Sequence, residues 1–220
     1  MEEKSKEVQS EADAKVIEQL GILVLDGSGS MGELGVTREP KATEVQRAVR
    51  GLVERKLKGS TRRDDFWLSI IAFDEDVEVR MEPTPVVEIE DGTVDYNPLH
   101  KHGGLTYIGE ALNKAGEIAK DFFENEGKEY PRSVRIILMS DGCNTPKTMD
   151  PIEVAENIKT LKVQKGKDIE IFTVGYGRSG DTHLDEETLK DIASEGVDTY
   201  KNTTDPDELR DFFEASLTSD

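Results

Sequence analysis

The amino-acid sequence predicts an α/β fold, a mostly parallel sheet covered by helices on both faces. Three observations carry this. Apolar runs of strand length alternate with segments whose apolar residues recur at helical spacing, the pattern of repeated strand–helix crossovers. The runs Gly21-Ile22-Leu23-Val24, Phe66-Trp67-Leu68-Ser69-Ile70-Ile71-Ala72-Phe73 and Arg135-Ile136-Ile137-Leu138-Met139 are nearly continuous in hydrophobicity, as strands buried on both faces must be. Finally, no internal repeat and no low-complexity linker divides the 220 residues, so residues 16–218 read as one domain.

Residues 1–15 are charged and poor in large apolar side chains, a flexible or helical N-terminal arm. The first strand spans Val16 to Leu25 and empties into a glycine- and serine-rich loop that Glu33 to Pro40 continues. A helix follows from Lys41 to Leu57, with Val45, Ala48, Val49, Leu52, Val53 and Leu57 on its apolar face. After the second strand, Phe66 to Phe73, Asp74-Glu75-Asp76 makes a turn. Val77 to Met81 alternates like a hairpin partner at a sheet edge. Pro83 to Gly104 reads mostly as loop, with Val86-Val87-Glu88-Ile89 as a short extended piece.

The next helix opens near Ile108 and buries Ile108, Leu112, Ala115, Ile118, Ala119 and Phe122. The strand from Arg135 ends in Ser140-Asp141-Gly142. Asp150-Pro151-Ile152-Glu153 combines an N-cap acid, a proline at the first helical position and an acid three residues on, starting a helix to about Gln164. Ile169 to Val174 is a strand followed by Gly175-Tyr176-Gly177. Asp185 caps a short helix that Gly196 closes, Thr199-Tyr200 is an edge strand, and Asp205 opens the last helix.

Composition narrows the function. Lys and Arg number 28 against 47 Asp and Glu, a formal charge of −19, which repels nucleic acid and anionic membranes. Cys143 is the only cysteine, so no intramolecular disulfide forms, which fits a reducing compartment. No secretory h-region and no apolar run of membrane-spanning length is present. The sequence therefore reads as that of a cytoplasmic, soluble protein.

The chemistry concentrates in Leu25-Asp26-Gly27-Ser28-Gly29-Ser30-Met31-Gly32. One carboxylate and two hydroxyls alternate with glycines at a strand end, and these are oxygen donors of the kind a hard cation such as Mg²⁺ takes. Glycine permits the backbone conformations that turn all three inward. A plain flexible turn is the competing reading. A phosphate cradle is disfavoured, because neither Gly-Lys-Ser/Thr nor Gly-x-Gly-x-x-Gly is present. In a doubly wound sheet, ligands bind outside the carboxyl ends of strands where strand order reverses. Asp141 leaves a strand in such a position, and Thr106 precedes a helix whose loop can reach the same edge. If the first strand and the Arg135 strand are neighbours, five oxygen-bearing side chains converge.

Three separated features together resemble the von Willebrand factor type A (vWA) domain with its metal-ion-dependent adhesion site: Asp26-Gly-Ser28-Gly-Ser30-Met, Gly-Leu-Thr106-Tyr-Ile-Gly-Glu-Ala-Leu, and Ser-Asp141-Gly. Phe172-Thr-Val-Gly-Tyr-Gly177 is similar to a strand–turn of the same family. Among relatives the chain is most similar to stand-alone bacterial intracellular vWA proteins. The resemblance implies a Rossmann-like three-layer αβα sandwich with a six-stranded sheet, parallel but for one antiparallel edge strand. It implies Mg²⁺, with Mn²⁺ or Ca²⁺ as alternatives, held directly by the hydroxyls of Ser28, Ser30 and Thr106 and through water by Asp26 and Asp141. It also implies a protein–protein interaction module, monomeric by itself, whose metal takes an Asp or Glu from a partner.

Two other functions compete. A metal beside Asp26 can serve hydrolysis or phosphotransfer. However, no second carboxylate stands at the usual place for an acid/base partner, and His100, His102 and His183 suggest no nucleophilic triad. A scaffold with a vestigial site is the other. His100-Lys101-His102 reads as surface-loop histidines rather than a zinc site, since no further ligand completes a tetrahedral set. Cys143 reads as a small loop residue.

Overall fold

The computed structural model describes residues 17–61, 63–124, 131–161, 169–178, 180 and 184–218. The predicted N-terminal arm, the end of the helix predicted to reach Gln164, and His183 lie outside them. The elements run β1 (Glu18–Asp26), α1 (Lys41–Gly51), β2 (Phe66–Phe73), β3 (Val77–Pro85), α2 (Ile108–Glu124), β4 (Arg132–Ser140), α3 (Pro151–Lys159), β5 (Glu170–Tyr176), α4 (Glu186–Ile192), β6 (Tyr200–Thr203) and α5 (Pro206–Thr218). The strands form one sheet in the order β3-β2-β1-β4-β5-β6, with every pair parallel except β2–β3.

Side-chain alternation along the central strand divides the core in two. Leu23 and Leu25 of β1 pack with Val45, Val49, Leu52 and Val53 and with Leu209, Phe213 and Leu217 of α5. Leu20, Ile22 and Val24 face Ile108, Leu112 and Ala115 of α2 and Ala155 and Ile158 of α3. A strand with helices on both sides has no polar face to offer, which is why β1 and β4 are buried along almost their whole length.

Caps mark the helix starts the sequence foretold. The Asp150 carboxylate accepts from the N–H groups of Ile152 and Glu153 at 2.9 and 3.4 Å, with Pro151 at the first helical position. The Asp185 carboxylate accepts from Thr188 N–H at 3.0 Å. Each satisfies donors that the first helical turn leaves without partners.

Three segments differ from the sequence-based expectation. The helix predicted for Lys41–Leu57 changes hydrogen-bond pattern at Leu52 and continues as a π-helical turn to Leu57. The predicted face stays buried throughout. β3 runs on to Pro85 rather than stopping at Met81, pairing Leu68 with Thr84 and Trp67 with Pro85. Pro83 and Pro85 are compatible with a strand here because β3 is an edge strand, where a missing N–H breaks no further ladder. Val86–Glu88, expected to be extended, is a short 3₁₀ turn that buries Val86.

Candidate metal centre

The chain leaves β1 toward β2 on one side and returns to β4 on the other, so the strand order reverses between β1 and β4. The parallel register pairs Leu25 with Met139, which brings Asp26 opposite Ser140. The Ser140 hydroxyl donates to Asp26 Oδ2 at 2.5 Å, and Ser28 N–H donates to Asp26 Oδ1 at 2.7 Å. Asp26 is fully buried. Burial and the neighbouring Asp141 charge push its pKa up to about 6, against the pull of the Ser140 and Ser28 hydrogen bonds.

The loop after β1 makes a short 3₁₀ turn, Gly29–Gly32, pinned by the buried Met31 side chain. It sets Ser28 Oγ and Ser30 Oγ 3.1 Å apart, and the Ser30 hydroxyl donates to Asp141 Oδ1 at 2.7 Å. The glycines here serve space rather than unusual dihedrals. None of Gly27, Gly29 and Gly32 has a positive φ, whereas a Cβ on Gly27 would lie 2.2 Å from the Pro98 carbonyl oxygen.

The third loop is held from several sides. Gly29 N–H donates to the Gly104 carbonyl at 3.0 Å, and Thr106 exchanges bonds with Thr145 through Thr145 N–H to Thr106 O at 2.8 Å and Thr106 N–H to Thr145 Oγ1 at 3.2 Å. A methyl group on Gly142 would lie 3.4 Å from Thr106 Oγ1. Four of the five candidates, Asp26, Ser28, Ser30 and Asp141, thus join one hydrogen-bonded chain that Ser140 completes. Thr106 lines the same cleft of about 360 Å³ together with Ser28, Ser30, Lys41, Asp141 and Cys143.

Sequence reasoning missed three residues here. Ser140 carries the link between Asp26 and the β4 end; its signal was the Ser-Asp-Gly run itself. Lys41, taken only as the start of a helix, places its Nζ 2.8 Å from Asp141 Oδ2 and 3.4 Å from Glu33 Oε2. Its burial works to lower its pKa, but the bond and charge of Asp141 prevail and raise it. Asp74, taken as part of a turn, accepts from the N–H groups of Gly103 and Gly104 at 2.9 Å each, and so holds the loop leading to Thr106. The available signal was its position, an acid directly after an apolar strand like Asp26.

The histidines separate. His100 is exposed and bonds Asp95, but the side chain of His102 is only 3% exposed, contrary to the surface reading, with Nδ1 2.8 Å from Asp74 Oδ1. The His102 backbone N–H donates to the Leu99 carbonyl at 3.0 Å, and a Cβ on Gly27 would lie 3.0 Å from the His102 Cβ, so a polar sequence context concealed a packed ring. Among the described residues no group of three or more His, Cys, Asp and Glu is placed to hold a metal. Any ion at the rim must therefore draw on hydroxyls. The donor set fits a hard divalent cation: every candidate atom is an oxygen, and of the two buried carboxylates Asp141 meets the Lys41 ammonium while Asp26 is held by hydrogen bonds from Ser140 and Ser28, leaving negative charge uncompensated. Cys143 is exposed at the cleft, and burial of its thiol together with the Asp185 charge raises its pKa.

A doubly wound sheet with an oxygen-lined crevice at its switch point defines the class. The sequence matches the von Willebrand factor type A domain over residues 22–215, and the chain belongs to this family. No curated protein matches it. Among solved structures it is similar to the conserved hypothetical protein BatB from Bacteroides thetaiotaomicron, with 18% identity, a TM-score of 0.61, and coverage of 90% of this chain and 97% of that one. It is also similar to the ArnB paralog VWA2 from Sulfolobus acidocaldarius, with 24% identity, a TM-score of 0.57, and coverage of 91% and 45%. A third is proximal thread matrix protein 1 from the mussel byssus, whose structure has a zinc-occupied MIDAS motif; identity is 17%, the TM-score 0.57, and coverage 91% and 45%. The chain spans nearly all of the BatB chain but less than half of the other two. No described helix is long and apolar enough to cross a membrane.

Proposed function

We propose that the protein is a metal-dependent interaction module that captures a carboxylate of a protein partner. The observation that carries this is the meeting of three loops at one rim, where the Ser30 hydroxyl and the Asp141 carboxylate lie 2.7 Å apart although 111 residues separate them. Ser28, Ser30 and Thr106 would hold Mg²⁺ or Mn²⁺ directly, with Asp26 and Asp141 behind them through water; Ca²⁺ is a further candidate. The zinc at the MIDAS motif of the mussel protein supports a divalent ion at this place in the family.

The chemistry the ion supplies is Lewis acidity toward an incoming oxygen. Neutral hydroxyl ligands leave that acidity largely unquenched. The protein's own part is positional. Ser140 and Ser28 N–H fix the Asp26 carboxylate, the Ser30 hydroxyl and Lys41 fix that of Asp141, and Asp74 fixes the Gly103–Gly104 backbone before Thr106. With a net charge of −19 the module favours a partner that is basic or neutral overall and presents one acid at the contact. The single cysteine supports a reducing, cytoplasmic setting.

The binding reading is favoured over hydrolysis or phosphotransfer by the hydroxyl-rich donor set gathered from three loops at the rim. The test is capture from source cells by the immobilised protein with Mg²⁺, with EDTA, and with Asp141→Ala. A partner retained only by the Mg²⁺-loaded native protein is expected. Retention unchanged by EDTA overturns the reading.

A further inference from the structure

The side chain of Lys41 has no explanation in helix stability. It is the first residue of α1, where backbone N–H groups already concentrate positive charge and a cation is disfavoured. Its stem nevertheless runs inward, leaving the side chain 18% exposed, and its ammonium meets Asp141, whose own side chain has no exposure. The other Asp141 oxygen accepts the Ser30 hydroxyl. Both oxygens of this carboxylate are therefore engaged by groups of the chain itself. A second carboxylate, Glu33, lies 3.4 Å from the same ammonium on the solvent side, with 71% of its side chain exposed.

We propose that Lys41 is a tethered cation that competes with the divalent ion for Asp141, and that Glu33 receives its ammonium when the ion binds. Lys41 is then an affinity-setting residue. It offsets part of the repulsion between the Asp26 and Asp141 carboxylates and must yield before the ion gains full use of Asp141. The Coulomb effect has one sign: removing a unit positive charge beside a doubly charged ion tightens its binding. At about 6 Å and the dielectric constant of water the gain is about tenfold. The role presupposes that the rim binds a divalent ion, and the experiment separates the two.

The experiment is titration of the purified full chain with Mn²⁺ alone, following free Mn²⁺ by electron paramagnetic resonance. Lys41→Met, which keeps the apolar stem, and Lys41→Gln are expected to bind Mn²⁺ about tenfold more tightly than the native chain, whereas Lys41→Arg stays within about threefold of it. Glu33→Gln is expected to weaken binding in the native background and to do so less in the Lys41→Met background, because the ammonium it would receive is gone. Equal or weaker binding by both Lys41→Met and Lys41→Gln overturns the proposal, as does an unchanged Glu33→Gln effect in the two backgrounds. Asp141→Ala reports on the rim itself. If native, Lys41→Met and Asp141→Ala chains bind Mn²⁺ alike, the ion lies elsewhere and both readings fall. If Asp141→Ala alone loses binding while Lys41→Met matches the native chain, the metal reading stands and only the role of Lys41 falls.

Discussion

Ser140 and Asp26 lie 114 residues apart in sequence, yet the Ser140 hydroxyl reaches Asp26 Oδ2 at 2.5 Å across the β1–β4 pair. The bond joins the two halves of the site at the sheet itself, below the loops. It follows from register alone, since any slip of one residue would turn Ser140 to the other face.

Ser140→Ala is therefore expected to weaken metal binding about tenfold while leaving the fold intact, the loss of one hydrogen bond to a charged group in a buried place. Isothermal titration with Mn²⁺ and a thermal melt check this together. An affinity equal to that of the native chain counts against the positioning role.

Asp26 should destabilise the metal-free protein. Its folded pKa of about 6 lies above the unfolded value near 3.8. The sign follows from linkage: a raised carboxyl pKa stabilises the fold below pH 4 and loses that contribution as pH rises through 6. Asp26→Asn should therefore raise the stability of the metal-free chain above pH 6 by up to about 3 kcal/mol and change it little below pH 4, while abolishing metal binding. Urea unfolding at pH 4 and pH 7.5 reads the difference.

Asp74 has the opposite sign. Burial alone would raise its pKa, but the N–H groups of Asp76 and Gly104 and the His102 ring prevail and lower it to about 2. Its contribution is present above pH 4 and disappears as pH falls toward 2. Asp74→Asn should cost stability at pH 6, cost nothing at pH 2, and weaken metal binding through the looser path to Thr106. Unfolding curves across that range, with a Mn²⁺ titration at pH 7, measure both effects.

Much of this was legible in the sequence. The six strands and the helices that cover them follow from hydrophobic period and cap residues, which are local signals, whereas Asp26, Ser28, Ser30, Thr106 and Asp141 were singled out together by the resemblance of three separated motifs to the family. What was not legible depends on partners distant in the chain. Lys41 looks like an ordinary helix start, Asp74 like a turn acid and His102 like a loop histidine until the sheet brings Asp141, Gly103 and Gly27 beside them. The extension of β3 through Pro83 and Pro85 was hidden for another reason: prolines ordinarily end a strand, and only the edge position already expected for Val77–Met81 makes them compatible with one.

Glu44 shows how the loop before α1 is held. It is fully buried, and its carboxylate accepts from Thr37 N–H at 2.6 Å, the Thr37 hydroxyl at 2.5 Å and the Tyr176 hydroxyl at 2.7 Å. A Cβ on Gly35 would lie 1.9 Å from Glu44 Oε2, and a carboxylate bonded three ways has no room to retreat. Gly35→Ala should cost about 2–4 kcal/mol and disturb Glu33 and Lys41 at either end of that loop. A lowered melting temperature with altered Mn²⁺ affinity is the expected result.

The most direct measurement is the anomalous scattering of Mn²⁺ in crystals of the protein grown with that ion. A single peak is expected at the rim, about 2.1 Å from the Ser28, Ser30 and Thr106 hydroxyl oxygens, with Asp26 and Asp141 one water further away. A crystal that binds Mn²⁺ elsewhere and leaves this rim without a peak would contradict the account.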